Sequence, residues 1–411
     1  MTNRLATGIS SVVRHKSIFT VCIVVISFLK LVLSAIAPAS YDLRDVITLL
    51  GSNRPPIGPW ISLYPPLYQS TATSPLLVEW YLAVPSAMSL NMQLTSLLFR
   101  LPIFGLDLGI AVLLYYIVKE MSSVSEARLA SLLWFMNPYS FLSMELLGVP
   151  DILATFSVIV VFAMLILHRP ILSGVFLALG TWVKLFPILL LPTVLIFAHT
   201  GGVSRRDRLV VLCFSVIGLL GYLSWVIPSG TQYLTQYSPV TQPMPIFVGS
   251  YITNSYGLVF IMILFYGLLG LFARKTSSPL EFLLPTFLVY YLVSSPYPQY
   301  LTWAMPLMAL DVALHRSRAP IFAAFCSLAF VQWFLVSPAL ITPSGYSLLM
   351  IPFTSNQLPW YSIAIGNLLD SPAIGDLIIP IVSSSFYAVI IFYAVDLIRT
   401  WFKLTTRDSV K

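Results

Sequence analysis

An all-α integral membrane protein, with about 12 transmembrane helices and ordered outer loops, is what this sequence predicts. Three observations lead there. Hydrophobic residues make up 58% of the chain and charged residues only 9%, whereas soluble domains run near a quarter charged. The apolar residues come in runs of roughly 15–25, the length a helix needs to cross a bilayer core of about 30 Å. The short alternating segments that mark a membrane barrel are absent. The runs place helices near residues 17–37, 93–117, 129–146, 151–167, 171–183, 186–199, 209–228, 256–273, 280–295, 300–313, 319–337 and 377–399. Residues 1–411 read as one multispanning domain, with no repeat and no separate soluble unit.

The first run follows Arg14 and Lys16, as a signal peptide would. It is too long for a signal core and no cleavage site follows, so it reads as a retained helix. The runs 171–183 and 186–199 are divided by Lys184 and Pro187. Neither half makes a comfortable span, and helices of this kind lie inside protein or line a cavity. Basic residues test the topology. One side receives 17 of them, from Arg4 and Lys16 through Arg205, Arg206, Arg316 and Arg399 to Lys411, and the other side receives Arg44, Arg54, Arg100 and Lys184. By the positive-inside rule both termini face the cytoplasm and the number of crossings is even. The membrane would be that of the ER in a eukaryote and the plasma membrane in a prokaryote. The formal net charge of +7 is explained by this topology and does not indicate a nucleic-acid partner. The non-cytoplasmic side then holds loops at about 38–92, 229–255 and 338–376, rich in Tyr, Pro, Ser and Trp. They read either as an interfacial aromatic belt or as a surface that stacks sugar rings.

All four histidines, His15, His168, His199 and His315, fall at the cytoplasmic side. Acid–base chemistry on the outer face would therefore rest on carboxylates. No phosphate-binding Gly-rich loop, no metal-ligand spacing and no paired cysteine spacing occurs. The outer carboxylates are Asp42, Asp45, Glu79, Glu145, Asp151, Asp370 and Asp376. Asp42 and Asp45 stand just past the first helix, where an apolar wall raises a carboxyl pKa and suits it to act as a base; a helix cap or a solvated loop acid is the alternative. Lys184 interrupts an apolar stretch, either as counter-charge for a lipid phosphate or with its head drawn to the interface. Arg100 and Asp107 are two helical turns apart on one face, and Asp107 would pair with a cation elsewhere to hold the bundle in register. Lys30, inside the first helix, is ambiguous in the same way. By themselves these residues fit two classes, a transferase using a lipid-phosphate donor and a transporter or scramblase.

Several segments together resemble the GT-C membrane glycosyltransferases, in particular the polyprenol-phosphate-mannose-dependent α-mannosyltransferases and the first mannosyltransferases of GPI-anchor synthesis. They are Tyr41-Asp42-Leu43-Arg44-Asp45, Leu63-Tyr64-Pro65-Pro66-Leu67, Arg100 to Asp107, Asn137-Pro138-Tyr139, Gly148 to Asp151, Gly174 to Lys184 with Pro187, and Gln299-Tyr300-Leu301-Thr302-Trp303. The resemblance implies a GT-C-type bundle and an inverting transfer of a hexose, expected to be mannose, from a polyprenyl or dolichyl phosphate to a hydroxyl of a lipid-linked glycan or glycolipid on the non-cytoplasmic face. It implies Asp42 as the base with Asp45 as second choice, Lys184 and Arg100 on the donor phosphate, and Tyr64, Asp151, Gln299, Tyr300 and Trp303 against substrate. Membrane lipids are further expected partners. No cofactor is implied. The acidic pair is Asp-x-x-Asp where several relatives carry Asp-x-Asp, which leaves open a divalent metal and which Asp is the base. The noncatalytic multispanning subunit of the GPI transamidase is similar as well, so the alternatives are a noncatalytic subunit of that kind and a lipid or sugar transporter.

Overall fold

The structure is a computed structural model, and it describes residues 15–36, 92–141, 144, 151–226, 255–272, 278–293, 298–340 and 379–408. These residues form twelve main helices: α1 (Lys16–Ile36), α2 (Met92–Met121), α3 (Val124–Phe135), α4 (Asp151–Ile166), α5 (Pro170–Val183), α6 (Leu191–Thr200), α7 (Arg205–Val226), α8 (Ser255–Phe272), α9 (Leu280–Val293), α10 (Met305–Leu314), α11 (Ala319–Leu340) and α12 (Ile379–Asp408). Short 3₁₀ turns at Phe186–Leu190, Pro298–Trp303 and Arg316–Arg318 and a single helical turn at Pro138–Ser140 complete the described elements.

Local chemistry sets the boundaries. Ser123 caps α3, its hydroxyl accepting from the Glu126 backbone N–H at 3.3 Å, and the Glu126 side chain reaches back to Ser122 and Ser123. This serine–glutamate spacing starts a helix, so α3 begins five residues before the apolar run suggests. It ends at Phe135 because Asn137 turns the chain, its side chain accepting from the Tyr139 N–H at 2.9 Å, and Pro138 follows. α5 ends at Val183 because Pro187 offers no N–H to the Val183 carbonyl and its ring clashes with it. Lys184 is then extended, with φ −152° and ψ 142°.

The core is built around short helices. Met305 to Ala313 of α10 are all buried, as is most of α9. α4 and α5 form a tight hairpin, turned by His168 in the left-handed region at φ 53° and restarted by Pro170. α5 and α7 run parallel in close contact. A Cβ on Gly174 would lie 2.9 Å from the Val211 Cα, and one on Gly218 would lie 2.6 Å from the Ala178 Cα. Small residues at these positions let the two backbones approach.

The bundle has two chemically different ends. Arg128 at the start of α3 lies over Phe19 at the start of α1, 5.9 Å to the ring centroid. Arg318, before α11, donates to Asp396 of α12 at 2.7 Å. These contacts, with the α2–α3, α4–α5 and α6–α7 connections, gather Lys16, Lys119, Arg128, Arg169, Arg205, Arg206, Arg316 and Arg399 at one end. The start of α4, the end of α5 and the Pro298–Trp303 turn lie at the other.

Three described helices are long and apolar enough to cross a membrane, over Lys16–Ala35, Leu94–Met121 and Ile381–Arg399. They associate the chain with a membrane. The expected GT-C-type bundle with about a dozen spans is corrected by the same measure. Six further apolar stretches among the searched residues, one of them residues 260–271 within α8, have only 10–17 residues. At a rise of 1.5 Å per residue they reach about 15–26 Å, short of a bilayer core of about 30 Å. Hydropathy misleads at α9 and α10 because a buried helix inside a bundle is as apolar as one facing lipid. Runs that read as single helices also break, at 186–190 and 298–303, into 3₁₀ turns. The three expected outer loops fall almost wholly outside the described residues.

Candidate functional site

Asp151 opens α4 and Lys184 follows α5, so the α4–α5 hairpin returns Lys184 to the residue that began it. The Lys184 ammonium sits 2.6 Å from Asp151 Oδ1, with the lysine side chain 12% exposed and the aspartate 1%. The Trp303 indole N–H donates to the same oxygen at 3.3 Å. Lys184 Nζ also lies 4.8 Å above the centre of the Tyr300 ring, a cation–π placement. Trp303 is stacked between aromatic planes, with Phe186 at 3.5 Å and 7° and Tyr300 at 4.4 Å and 24°. The Tyr291 hydroxyl donates to the Tyr300 carbonyl at 2.6 Å and so fixes the 3₁₀ turn that carries both rings. Asp151 lies in the first turn of its helix, where the macrodipole favours a negative charge.

Lys184, Asp151, Tyr300 and Trp303, singled out in the sequence, are thus brought together. Gln299 belongs to the same turn, but its side chain is not among the described ones. Asp42, Asp45 and Tyr64 lie outside the described residues. Arg100 does not join this group in the contacts described. It is fully buried on α2 and its guanidinium donates to the Ser34 carbonyl of α1 at 3.3 Å. Asp107 pairs with a cation on another helix as expected. That cation is Lys30, at 2.5 Å with both side chains at 0% exposure. The Lys30 ammonium also donates to Ser140 at 3.3 Å and lies 4.8 Å and 4.4 Å from the ring centres of Phe135 and Phe141. This group ties α1, α2 and the Asn137–Phe141 turn together.

A third cluster, at the basic end, escapes the sequence reading. Asp311 of α10 accepts from Arg318 at 2.6 Å and from the Tyr393 hydroxyl of α12 at 2.8 Å, and contacts His315 at 3.1 Å. Arg318 reaches on to Asp396. The hydrogen bond to Asp311 is the main cause that raises the His315 pKa above its ordinary value, against burial, which lowers it. The available signal was an aspartate four residues before a histidine in an otherwise apolar helix, and a second aspartate, Asp396, inside the last apolar run.

Among the described residues no group of three or more His, Cys, Asp or Glu side chains converges as metal ligands. No protein-family profile matches the chain, and neither a curated protein nor a solved structure matches it. The resemblance to the GT-C mannosyltransferases is therefore corrected, together with the fold and the lipid-phosphate-dependent sugar transfer it implied. Short segments such as Asn137-Pro138-Tyr139 and Gln299 to Trp303 carried it, and the structure accounts for both locally. The first caps a turn, and the second forms a 3₁₀ turn whose rings stack in the core.

Proposed function

We propose that this chain is a multi-pass membrane protein that binds a phosphate-bearing lipid at Lys184. One observation carries the reading. Lys184 is the partly exposed member of an otherwise buried polar group, and it is flanked in the chain by two exposed apolar side chains, Trp182 and Leu185. A cation with apolar surface on either side suits an amphiphile with an anionic head. A phosphate oxygen competes with Asp151 for the ammonium, while the hydrocarbon lies along Trp182 and Leu185. Polyprenyl and dolichyl phosphates, free or carrying a sugar, belong to this class. So do membrane lipids with a phosphomonoester head. The first and last described helices have their outer ends at the basic end, and the positive-inside rule puts that end in the cytoplasm. Lys184 then faces the opposite side.

Intrinsic fluorescence tests this, because Trp182 and Trp303 both adjoin Lys184. The purified protein is titrated in detergent with dolichyl phosphate, with phosphatidic acid and with dolichol as the uncharged control. Dolichyl phosphate is expected to saturate the signal, dolichol to leave it unchanged, and Lys184→Gln to abolish the response. Asp151→Asn removes the competing carboxylate and strengthens binding. A response to phosphatidic acid alone assigns the site to bilayer phospholipid. Equal responses to dolichol and dolichyl phosphate, or a response that survives Lys184→Gln, overturn the reading.

A further inference from the structure

The basic end carries a second arrangement of exposed charge beside apolar surface, on the parallel α5–α7 pair. Gly174 packs on Val211. Arg169 precedes the first by five residues and Arg206 precedes the second by five, so the two arginines stand at one level. Arg205 is beside them, and all three are exposed. Among the described residues the acidic group on this turn is Asp207, in the first turn of α7. Arg208 is engaged with His199. One turn further into the bundle, both helices expose large apolar side chains: Leu172 on α5, and Leu209 and Leu212 on α7.

We infer that Arg169, Arg205 and Arg206 seat the phosphate head group of an anionic phospholipid, with its acyl chains along Leu172, Leu209 and Leu212. The vertical order of charge and apolar surface is what selects this partner. An acidic protein segment would match the arginines but would leave the leucines below them uncovered. A phospholipid covers both, and each arginine near an anionic leaflet adds to the attraction. Arg also meets phosphate oxygens through two N–H groups at once, which lysine cannot do. The inference requires that the chain sit in a membrane, but it does not depend on ligand binding at Lys184, which is at the other end of α5.

The test uses the full chain in nanodiscs of phosphatidylcholine, with and without added phosphatidylglycerol, at low and high salt. Wild type is expected to melt several degrees higher with phosphatidylglycerol at low salt, and to lose most of that gain at high salt. Native mass spectrometry is expected to show retained phosphatidylglycerol. Replacing all three arginines by Gln removes the gain, and replacing them by Lys keeps part of it. Lys184→Gln keeps it in full, which separates this site from the one at the opposite end. An absence of any phosphatidylglycerol-dependent shift in wild type overturns the inference without recourse to a variant. So does a shift that the Gln variant retains.

Discussion

Two lysine–aspartate pairs of the same chemistry sit in very different surroundings. Lys30–Asp107 joins α1 to α2, two of the helices long enough to cross a membrane, and neither partner has any exposed side-chain surface. Lys184–Asp151 joins the two ends of a hairpin of short helices, and its lysine reaches the surface. Inside the first pair the ammonium is enclosed by two aromatic rings and a serine hydroxyl, so no outside group reaches it. In the second, the Tyr300 ring and the Asp151 carboxylate contact an ammonium whose side chain is 12% exposed, the exposure on which the proposed lipid contact rests. Burial separates the two pairs even though the bond lengths are nearly equal, at 2.5 and 2.6 Å.

The largest effect that sharpens this contrast is expected at the sealed pair. Asp107→Asn leaves a buried ammonium without its counter-charge and is expected to destabilise the protein by about 3–5 kcal/mol. Thermal unfolding in detergent measures it. The double change Lys30→Met with Asp107→Leu removes both charges and is expected to recover most of that loss, because a packed apolar pair of similar volume replaces an ion pair at little net change. A double variant as unstable as the single would mean that the pair does more than hold α1 against α2.

Next in size is a change that displaces the open pair without touching its charges. Gly218→Ala puts a methyl group 2.6 Å from the Ala178 backbone, and overpacking of this kind is expected to destabilise by about 1–3 kcal/mol. α5 must shift to admit the methyl group, and Lys184 follows directly on α5. Lipid binding at Lys184 is therefore expected to weaken in this variant, while the α1–α2 staple keeps its protection from amide exchange. Unaltered stability would show that α5 and α7 are not in close contact.

Lys184→Gln comes third. Its lysine is partly hydrated, so the loss is expected to fall between that of a surface pair and that of a buried one, at about 1–2 kcal/mol. A loss as large as that from Asp107→Asn, read on the same unfolding curve, would erase the distinction between the two pairs.

The sequence already contained one of these pairs in outline. Asp107, seven residues after Arg100 in an apolar run, asks for a cation on another helix, and Lys30 was a cation buried in such a run. Lys184 was conspicuous because an uncompensated charge in an apolar stretch is costly, and the break it marks follows from Pro187. What escaped was depth. A run such as Met305 to Leu314 has the same composition whether lipid or protein surrounds it, so composition alone counts too many spans. The capping pair Ser123 and Glu126 was visible in the sequence and would have started α3 correctly. Asp311 and Asp396, which meet the same arginine, are 85 positions apart in the chain, and no local pattern brings them together.

That arginine-linked cluster provides the smallest expected effect and a third term for the comparison. Asp311 is as buried as Asp151, but three donors surround it: Arg318, the Tyr393 hydroxyl and His315. Of these His315 alone titrates near neutrality. Asp396 draws on the other side of Arg318, and Glu126 and Arg316 stand nearby on the adjoining turns. The His315 pKa is raised in the folded protein, chiefly by its hydrogen bond to Asp311. A raised pKa means that the folded state holds the proton more tightly than the unfolded chain. The stabilisation is therefore fully present below the unfolded value of about 6.5 and fades as pH rises through the folded value. His315→Gln is expected to lower the melting temperature slightly on the acid side and to match wild type on the alkaline side. The difference stays small because His315 is half exposed and Arg318 keeps Asp311 paired at every pH in that range. A difference that grows with rising pH would mean that burial, and not Asp311, governs the histidine.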